Sequence, residues 1–311
     1  MTTLSPTIEQ PFRLGTRRSP LAMAQAHETR ERLIAAHGWD ADAVELVPVL
    51  ASGDKIKDRP LAEIGGKALW TKELDRALAD RTIHAAVHSM KDVETWRPDE
   101  LTIAALLPRE DVRDMLIGAA NIAAIPRNAR VGTSAPRRAA QMLHARPDVT
   151  IVGFRGNVAT RLSRLQSDEA DVTLLAAAGL VRLGQTGVGR PLDPAEWLPA
   201  PAQGAIGVEC RTDDAATRAA LAAIDHGPTR AQVMAERALL DALGGTCHSP
   251  IAAWTRGETD LTMDVALFSG NGAVRRDGSV TFTPGDEGPV RAMAMNLLAR
   301  SPQAITANFR G

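Results

Sequence analysis

At 311 residues the chain is long for one hydrophobic core, and with 44% apolar and 23% charged residues it has the balance of a folded globular protein of about two domains. A net charge of −1 and 3% aromatic residues, with no tyrosine, argue against nucleic-acid binding. No run approaches the roughly 18 apolar residues of a membrane helix, and MTTLSPTIEQPFRLG has neither the basic nor the apolar part of a secretory leader, so a cytoplasmic protein without membrane partners is expected. Two cysteines, Cys210 and Cys247, offer no disulfide framework and no zinc pattern.

The N-terminal stretch RLGTRRSP (13–20) reads as strand, tight turn and helix start, with Ser19 as N-cap and Pro20 in the first helical position. A strand VELVPVL (44–50) follows. ASGDKIKDRPLAEIGGKALW (51–70) is charged and weakly periodic, and reads either as a solvated loop or as a lid. TKELDRALAD (71–80) is a helix and IHAAVHS (83–89) a buried strand; His84 and His88, about 13 Å apart on it, read as structural rather than as a metal pair. Proline in LLPREDVRD (106–114) marks a lobe boundary.

RVGTSAPRR (130–138) repeats the Arg-x-Gly-Thr of the first turn, and the order recurs: VTIVGF (149–154) strand, VATRLSRLQ (158–166) helix, DVTLLAAAG (171–179) strand. Strands alternating with helices imply parallel sheets and an α/β class. EWLPAPAQG (196–204) is a second boundary, and AIGVEC an apolar strand in which Cys210 is a small buried hydrophobe. After DHGPTR come a helix (231–243), the glycine-flanked turn GGTCHSP (244–250), three alternating segments, IAAW, LTMDVALF and SVTFT, and a last helix (288–300), an α+β lobe with an antiparallel sheet.

The basic residues are 31 Arg and 5 Lys. Arginine forks grip carboxylates in two places, although GC-rich coding also enriches them, so position decides. Arg17 and Arg18 precede Ser19, Arg137 and Arg138 fall in the first turn after Pro136, and Arg155 precedes a helix start with Arg161 one turn in. Cations at helix N-termini are unfavourable unless an anion joins them or local Asp and Glu pair with them. The ends of open α/β strands bind ligands, so a polyanion site is the expectation. AAVHSMKDV delivers Ser89, Lys91 and Asp92 to the same kind of edge, where Asp92 is a turn former, the partner of Lys91 or an electrostatic stabiliser of developing positive charge. Cys247 beside His248 favours no particular enzyme, since a sequence-adjacent histidine rarely forms a catalytic dyad; an inert thiol and a hydrolase nucleophile are the readings left open. A non-catalytic two-lobe binding protein for a small carboxylate is the alternative.

Through RLGTRRSPLAMAQA, GGKALWTKELD, AVHSMKDV, LPREDVRD, VGTSAPRRAAQ, RGNVATRL, LAAAGLVRLG, QGAIGVECR and GGTCHSPIA, in order from about residue 13 to 300, the chain resembles the porphobilinogen deaminase (hydroxymethylbilane synthase) family. The resemblance implies a monomeric transferase of tetrapyrrole biosynthesis that joins four porphobilinogen molecules, each losing ammonia, and hydrolytically releases hydroxymethylbilane. It implies a dipyrromethane cofactor held through a thioether at Cys247, with no metal or nucleotide. Asp92 is then the catalytic carboxylate; Ser89, Lys91, Ser134, Arg137, Arg138 and Arg161 contact the cofactor; Arg17, Ser19, Arg155 and Arg182 meet substrate carboxylates, and Lys67 lies in the lid. It also implies two periplasmic-binding-protein-like α/β lobes plus a smaller C-terminal domain, divided as 1–108 with 203–222, 109–202 and 223–311. The sequence departs from the family pattern at Glu94, where proline is common, at Ala135 and Pro136, and at Ala202, where glycine is common.

Overall fold

A computed structural model describes residues 4–50 and 71–309. The expected lid, 51–70 with Lys67, lies outside the described residues. The described residues divide into two units, one holding 4–50, 71–109 and 205–230, the other 110–204 and 231–309.

The first unit begins with β1 (Phe12–Arg17), α1 (Pro20–His37), β2 (Val44–Val49), α2 (Lys72–Ala79), β3 (Ala85–Ser89) and β4 (Leu101–Leu106). Ser19 caps α1 by accepting from the Ala22 N–H at 3.3 Å, and Gly38, at φ +65°, closes it on the Ile34 carbonyl. Between these ends Ala22, Gln25, Ala26, Thr29 and Leu33 recur at helical spacing and form the buried face. They cover a sheet whose core includes Phe12, Leu14, Val44, Val87 and Val208.

The second unit continues with β5 (Asp114–Ile117), β6 (Arg130–Gly132), α3 (Pro136–Ala145), β7 (Thr150–Val152), α4 (Val158–Gln166), β8 (Val172–Ala176), α5 (Ala177–Arg182) and β9 (Arg190–Pro191). The chain then returns to the first unit for β10 (Ile206–Arg211), α6 (Ala215–Ala222) and the start of α7 (Gly227–Leu243). The first sheet has the order β2-β1-β3-β10-β4 and the second β7-β6-β8-β5-β9, one plan used twice.

The Arg-x-Gly-Thr repeat marks the equivalent strands β1 and β6, and its glycine has the same reason in both. A Cβ on Gly15 would stand 2.4 Å from Ile83 Cδ1, and one on Gly132 2.5 Å from the Phe154 ring, so each strand needs a bare backbone where a buried side chain crosses it.

Parallel sheets were the expectation, and one strand of each sheet departs from it. β1 runs parallel to β2 and β3, and β6 to β7 and β8, but β10 is antiparallel to β3 and β4, as β5 is to β8 and β9. Each of β10 and β5 is reached where the chain passes from one unit to the other, so no crossover helix dictates a parallel direction. After β10 the chain stays on the first unit: Asp225 accepts from the Leu106 N–H at 2.7 Å, and Arg230 donates to the Ala104 carbonyl at 2.9 Å.

The rest of the second unit is the antiparallel sheet β11 (Ile251–Arg256), β12 (Leu261–Phe268) and β13 (Arg275–Phe282), with α8 (Gly288–Ala299) and α9 (Gln303–Thr306). Leu239 and Leu243 of α7 and Val290 and Ala294 of α8 bury one face of it with Ile251, Met263, Val265 and Leu267. Glu236, fully buried in α7, accepts from the Ala202 N–H at 2.5 Å and the Thr255 N–H at 2.9 Å. That grip holds Ala202 at φ +59°, a conformation glycine adopts without cost.

Candidate active site

In the first unit the residues singled out from sequence gather at the carboxyl ends of β1 and β3, the edge where open α/β sheets hold ligands. Arg17 ends β1 and Ser19 follows it, its hydroxyl engaged in the α1 cap. Ser89 ends β3 and donates to Gln25 Oε1 at 3.0 Å. A single 3-10 turn, Met90–Asp92, comes next, with Met90 buried and Lys91 and Asp92 half-exposed. The turn is fixed by the Met90 N–H on the Ala205 carbonyl (3.1 Å) and the Val93 N–H on the Met90 carbonyl (3.3 Å).

Sequence reasoning missed the charged cluster beside that turn. Arg97, its side chain 9% exposed, sets Nε and Nη2 on the two carboxylate oxygens of Glu209 at 2.9 and 2.7 Å. Its other contacts are Asp75 at 2.5 Å, Glu94 at 3.0 Å and the Thr71 hydroxyl at 3.2 Å. His88 Nε2 lies 3.2 Å from Glu209. Burial alone would raise the Glu209 carboxyl, but His88 and Arg97 outweigh it and bring it down to about 2. The signal was an acid inside the apolar run AIGVEC. The histidines are structural: His84 Nδ1 accepts from the Arg13 N–H at 2.9 Å and its ring stacks on Phe12.

In the second unit the counterpart residues follow β6, β7 and β8. Ser134 is half-buried in the turn after β6; Arg137 and Arg138 occupy the first turn of α3. Ala135, the N-cap, has no side-chain acceptor, and its own N–H donates to Thr133 Oγ1 at 3.2 Å, while Pro136 presets the first helical residue. Arg155 follows β7. Asn157 caps α4 through the Thr160 N–H at 2.9 Å, and Arg161 folds back with Nε on the Gly156 carbonyl at 3.0 Å. Arg182, ending α5, donates to the Gly204 carbonyl at 3.0 Å.

The two α3 arginines are not solvated. Both are at most 5% exposed and converge on Asp114, which is fully buried at the start of β5. Arg137 Nη1 lies 2.8 Å from it and Arg138 Nη2 2.7 Å, and Trp197 Nε1 and Gln203 Nε2 each donate to it at 2.9 Å. Burial would raise the Asp114 carboxyl, yet Arg137 and Arg138 hold it well below the usual carboxylate range. The conflict of cations with a helix N-terminus is thus met from within. It is met incompletely, because among the described residues one carboxylate faces two guanidinium groups and Arg137 Nε, buried, has no hydrogen-bond partner. A donor set one negative charge short suits an anionic group.

The cysteines differ. Cys210 is fully buried in β10, and burial pushes its thiol up to about 12. Cys247 is exposed, on a turn pinned by the Thr246 N–H on Ser249 Oγ (3.1 Å), the His248 N–H on Thr246 Oγ1 (3.2 Å) and Ser249 Oγ on the Asn308 carbonyl (2.8 Å). A thiol on a rigid, open turn can carry a covalent group; a neutral thiol inside a strand cannot.

Residues 12–219 match the family model "Porphobilinogen deaminase, dipyromethane cofactor binding domain", and residues 230–290 match the C-terminal domain model of the same family. The chain is 54% identical to porphobilinogen deaminase of Sphingopyxis alaskensis over 97% of its length and 98% of the relative's. It is 49% identical to that of Paracoccus denitrificans over 99% and 98%, and 48% identical to the chloroplastic enzyme of Pisum sativum over 80% and 69%. Among solved structures, a Salmonella typhimurium periplasmic binding protein with high arginine specificity aligns with 69% of this chain and 91% of its own at 10% identity and a TM-score of 0.40.

Proposed function

Because the chain belongs to the porphobilinogen deaminase family, we propose that Cys247 is where its dipyrromethane cofactor is attached and that Asp92 is the catalytic carboxylate. The enzyme is a transferase acting on porphobilinogen; it joins four molecules with loss of ammonia and releases hydroxymethylbilane for tetrapyrrole biosynthesis. When bound, dipyrromethane supplies the pyrrole carbon at which substrate units are joined. The observation that carries the attachment is the contrast between the cysteines: Cys247 is exposed, whereas Cys210 is buried and held neutral.

Asp92 stabilises positive charge on the reacting pyrrole nitrogens. At about 4 Å and an effective dielectric near 20, that attraction is worth roughly 4 kcal/mol. Realised only in the transition state, it amounts to about three decades in rate. Ser89, Lys91, Ser134, Arg137, Arg138 and Arg161 hold the cofactor's carboxylates, the α3 pair contributing mainly the uncompensated charge behind the helix start. Arg17, Ser19, Arg155 and Arg182 receive those of the substrate, and Lys67 assists from the lid. Planar guanidinium forks suit acetate and propionate arms.

Three sheets, each with its own core, support a division into domains 1–108 with 203–222, 109–202 and 223–311, with the residues just before Ala231 resting on the first. The large apolar side chains exposed among the described residues, Ile8, Leu50, Trp96, Val181 and Met295, come singly from separate segments of the chain, which favours a monomer. No described helix is long and apolar enough to cross a membrane, and two cysteines outside any disulfide suit a reducing, cytoplasmic setting. Denaturing mass spectrometry tests the attachment. The wild type should carry the mass of two linked pyrroles, Cys210→Ser should keep it and Cys247→Ser should lose it; an unmodified, active wild type overturns the reading.

A further inference from the structure

The turn that carries Asp92 is pinned at two points to a single neighbouring strand. β10 runs antiparallel to β3, with Ile206 opposite Ser89, Gly207 opposite His88 and Glu209 opposite Ala86. Met90, the first residue of the turn, lies over Gly207, where a Cβ would stand 2.1 Å from Met90 Sδ. Two residues further along β10, Glu209 takes the bidentate grip of Arg97. Arg97 simultaneously holds Glu94 at 3.0 Å, and Thr71 donates its hydroxyl to the same Glu94 oxygen at 2.9 Å. The chain leaving Asp92 is therefore fastened at Glu94 and again at Arg97, to β10 and to the start of α2.

Glu94 also stands where the family pattern often has proline. A proline there would stiffen the exit from the turn by fixing φ. Glutamate leaves that torsion open, and a planar guanidinium contacting Glu209, Glu94, Asp75 and Thr71 restores the order.

We propose that Arg97 is a positioning residue for the reaction: by binding Glu209 and Glu94 it fixes the chain that leaves the Met90–Asp92 turn, and with it the placement of the Asp92 carboxylate. This rests on Asp92 being the catalytic carboxylate. A merely structural ion cluster would affect stability without acting through Asp92.

The test is a double-mutant cycle on the cofactor-loaded enzyme, with Arg97→Met and Asp92→Asn alone and combined. Folded Arg97→Met should keep the two-pyrrole mass and lose about 10-fold or more in kcat, with KM within about twofold. In the Asp92→Asn background the same change should cost less than about twofold, because the carboxylate it positions is already gone. Arg97→Lys should recover part of kcat by keeping one charged contact. Wild-type kcat in folded Arg97→Met, or an equal loss in both backgrounds, would overturn the proposal. If Arg97→Met does not fold, Glu94→Gln, which leaves Arg97 on Glu209 and Asp75, should lower kcat about threefold, and an unchanged kcat overturns the proposal in the same way. Near-normal turnover in Asp92→Asn alone would instead remove the reading on which the proposal rests.

Discussion

Arg138 meets Asp114 through Nε at 3.3 Å and Nη2 at 2.7 Å, where Asp114 is fully buried and Arg138 nearly so. Arg137, Trp197 and Gln203 complete the shell, so α3, β5 and the segment before β10 share one carboxylate. Its negative charge is opposed by two positive ones in a place where little water can make up the difference.

Replacing Asp114 with asparagine would leave both guanidinium groups buried without a counter-charge. Breaking a buried pair in this way costs about 3–5 kcal/mol. Thermal melting of Asp114→Asn should begin on the order of 10 °C below the wild type. An unshifted melt would show that the three groups are not coupled.

Asp92→Asn removes charge from a half-exposed turn without disturbing Met90 or Val93, which hold that turn through backbone bonds and burial. The variant should fold, keep the two-pyrrole mass and turn over about 100-fold to 1000-fold more slowly. Steady-state assay beside intact-mass measurement separates the two effects. Near-normal rates contradict a cation-stabilising carboxylate.

Acid stability follows from Glu209, whose carboxyl lies at about 2 against an ordinary 4.5. A lowered folded value contributes stability that is complete above the ordinary value and drains away as pH falls toward 2, in all about 3 kcal/mol. Urea denaturation between about pH 6 and pH 3 should show that loss in the wild type and a shallower one in Glu209→Gln. Parallel pH dependences for the two proteins would remove Glu209 from the account.

Gly132→Ala would push a methyl group into the Phe154 ring, with carbons 2.5 to 2.7 Å from the new atom. A buried ring has nowhere to swing, so the cost is about 1–3 kcal/mol. Adding Phe154→Leu, which clears part of the space, should return some of it. Equal denaturation midpoints for wild type and Gly132→Ala would show that the β6 backbone yields instead.

Local chemistry was legible in the sequence. The cap at Ser19, Pro20 and Pro136 at helix starts and the duplicated Arg-x-Gly-Thr each depend on neighbours within a few positions, and each stands where expected. The strand ends that carry Arg17, Asp92, Ser134 and Arg155 follow from the alternation of apolar runs with helices. Asp114 was not legible as a hub, because in LPREDVRD it is one acid among several charges and its partners lie at Arg137, Arg138, Trp197 and Gln203. Arg97 and Glu209 are separated by more than a hundred positions, and the insertion of β10 between β3 and β4 brings them together. The antiparallel strands were hidden for the same reason: direction within a sheet is set by where the chain comes from, which no local pattern records.

The late arrival of β10 bears on the order in which the protein can be made. Strands β5 to β9 lie in one uninterrupted stretch, so their sheet has every strand once the ribosome has passed Pro191. The sheet begun by β1 stays open between β3 and β4 until Arg211 has been synthesised, and Glu209, the anchor for Arg97, is among the last pieces delivered. A nascent chain halted before that point would have Asp92 but not the strand beside it, so the turn that carries Asp92 gains its setting only after strands β5 to β9 have been translated.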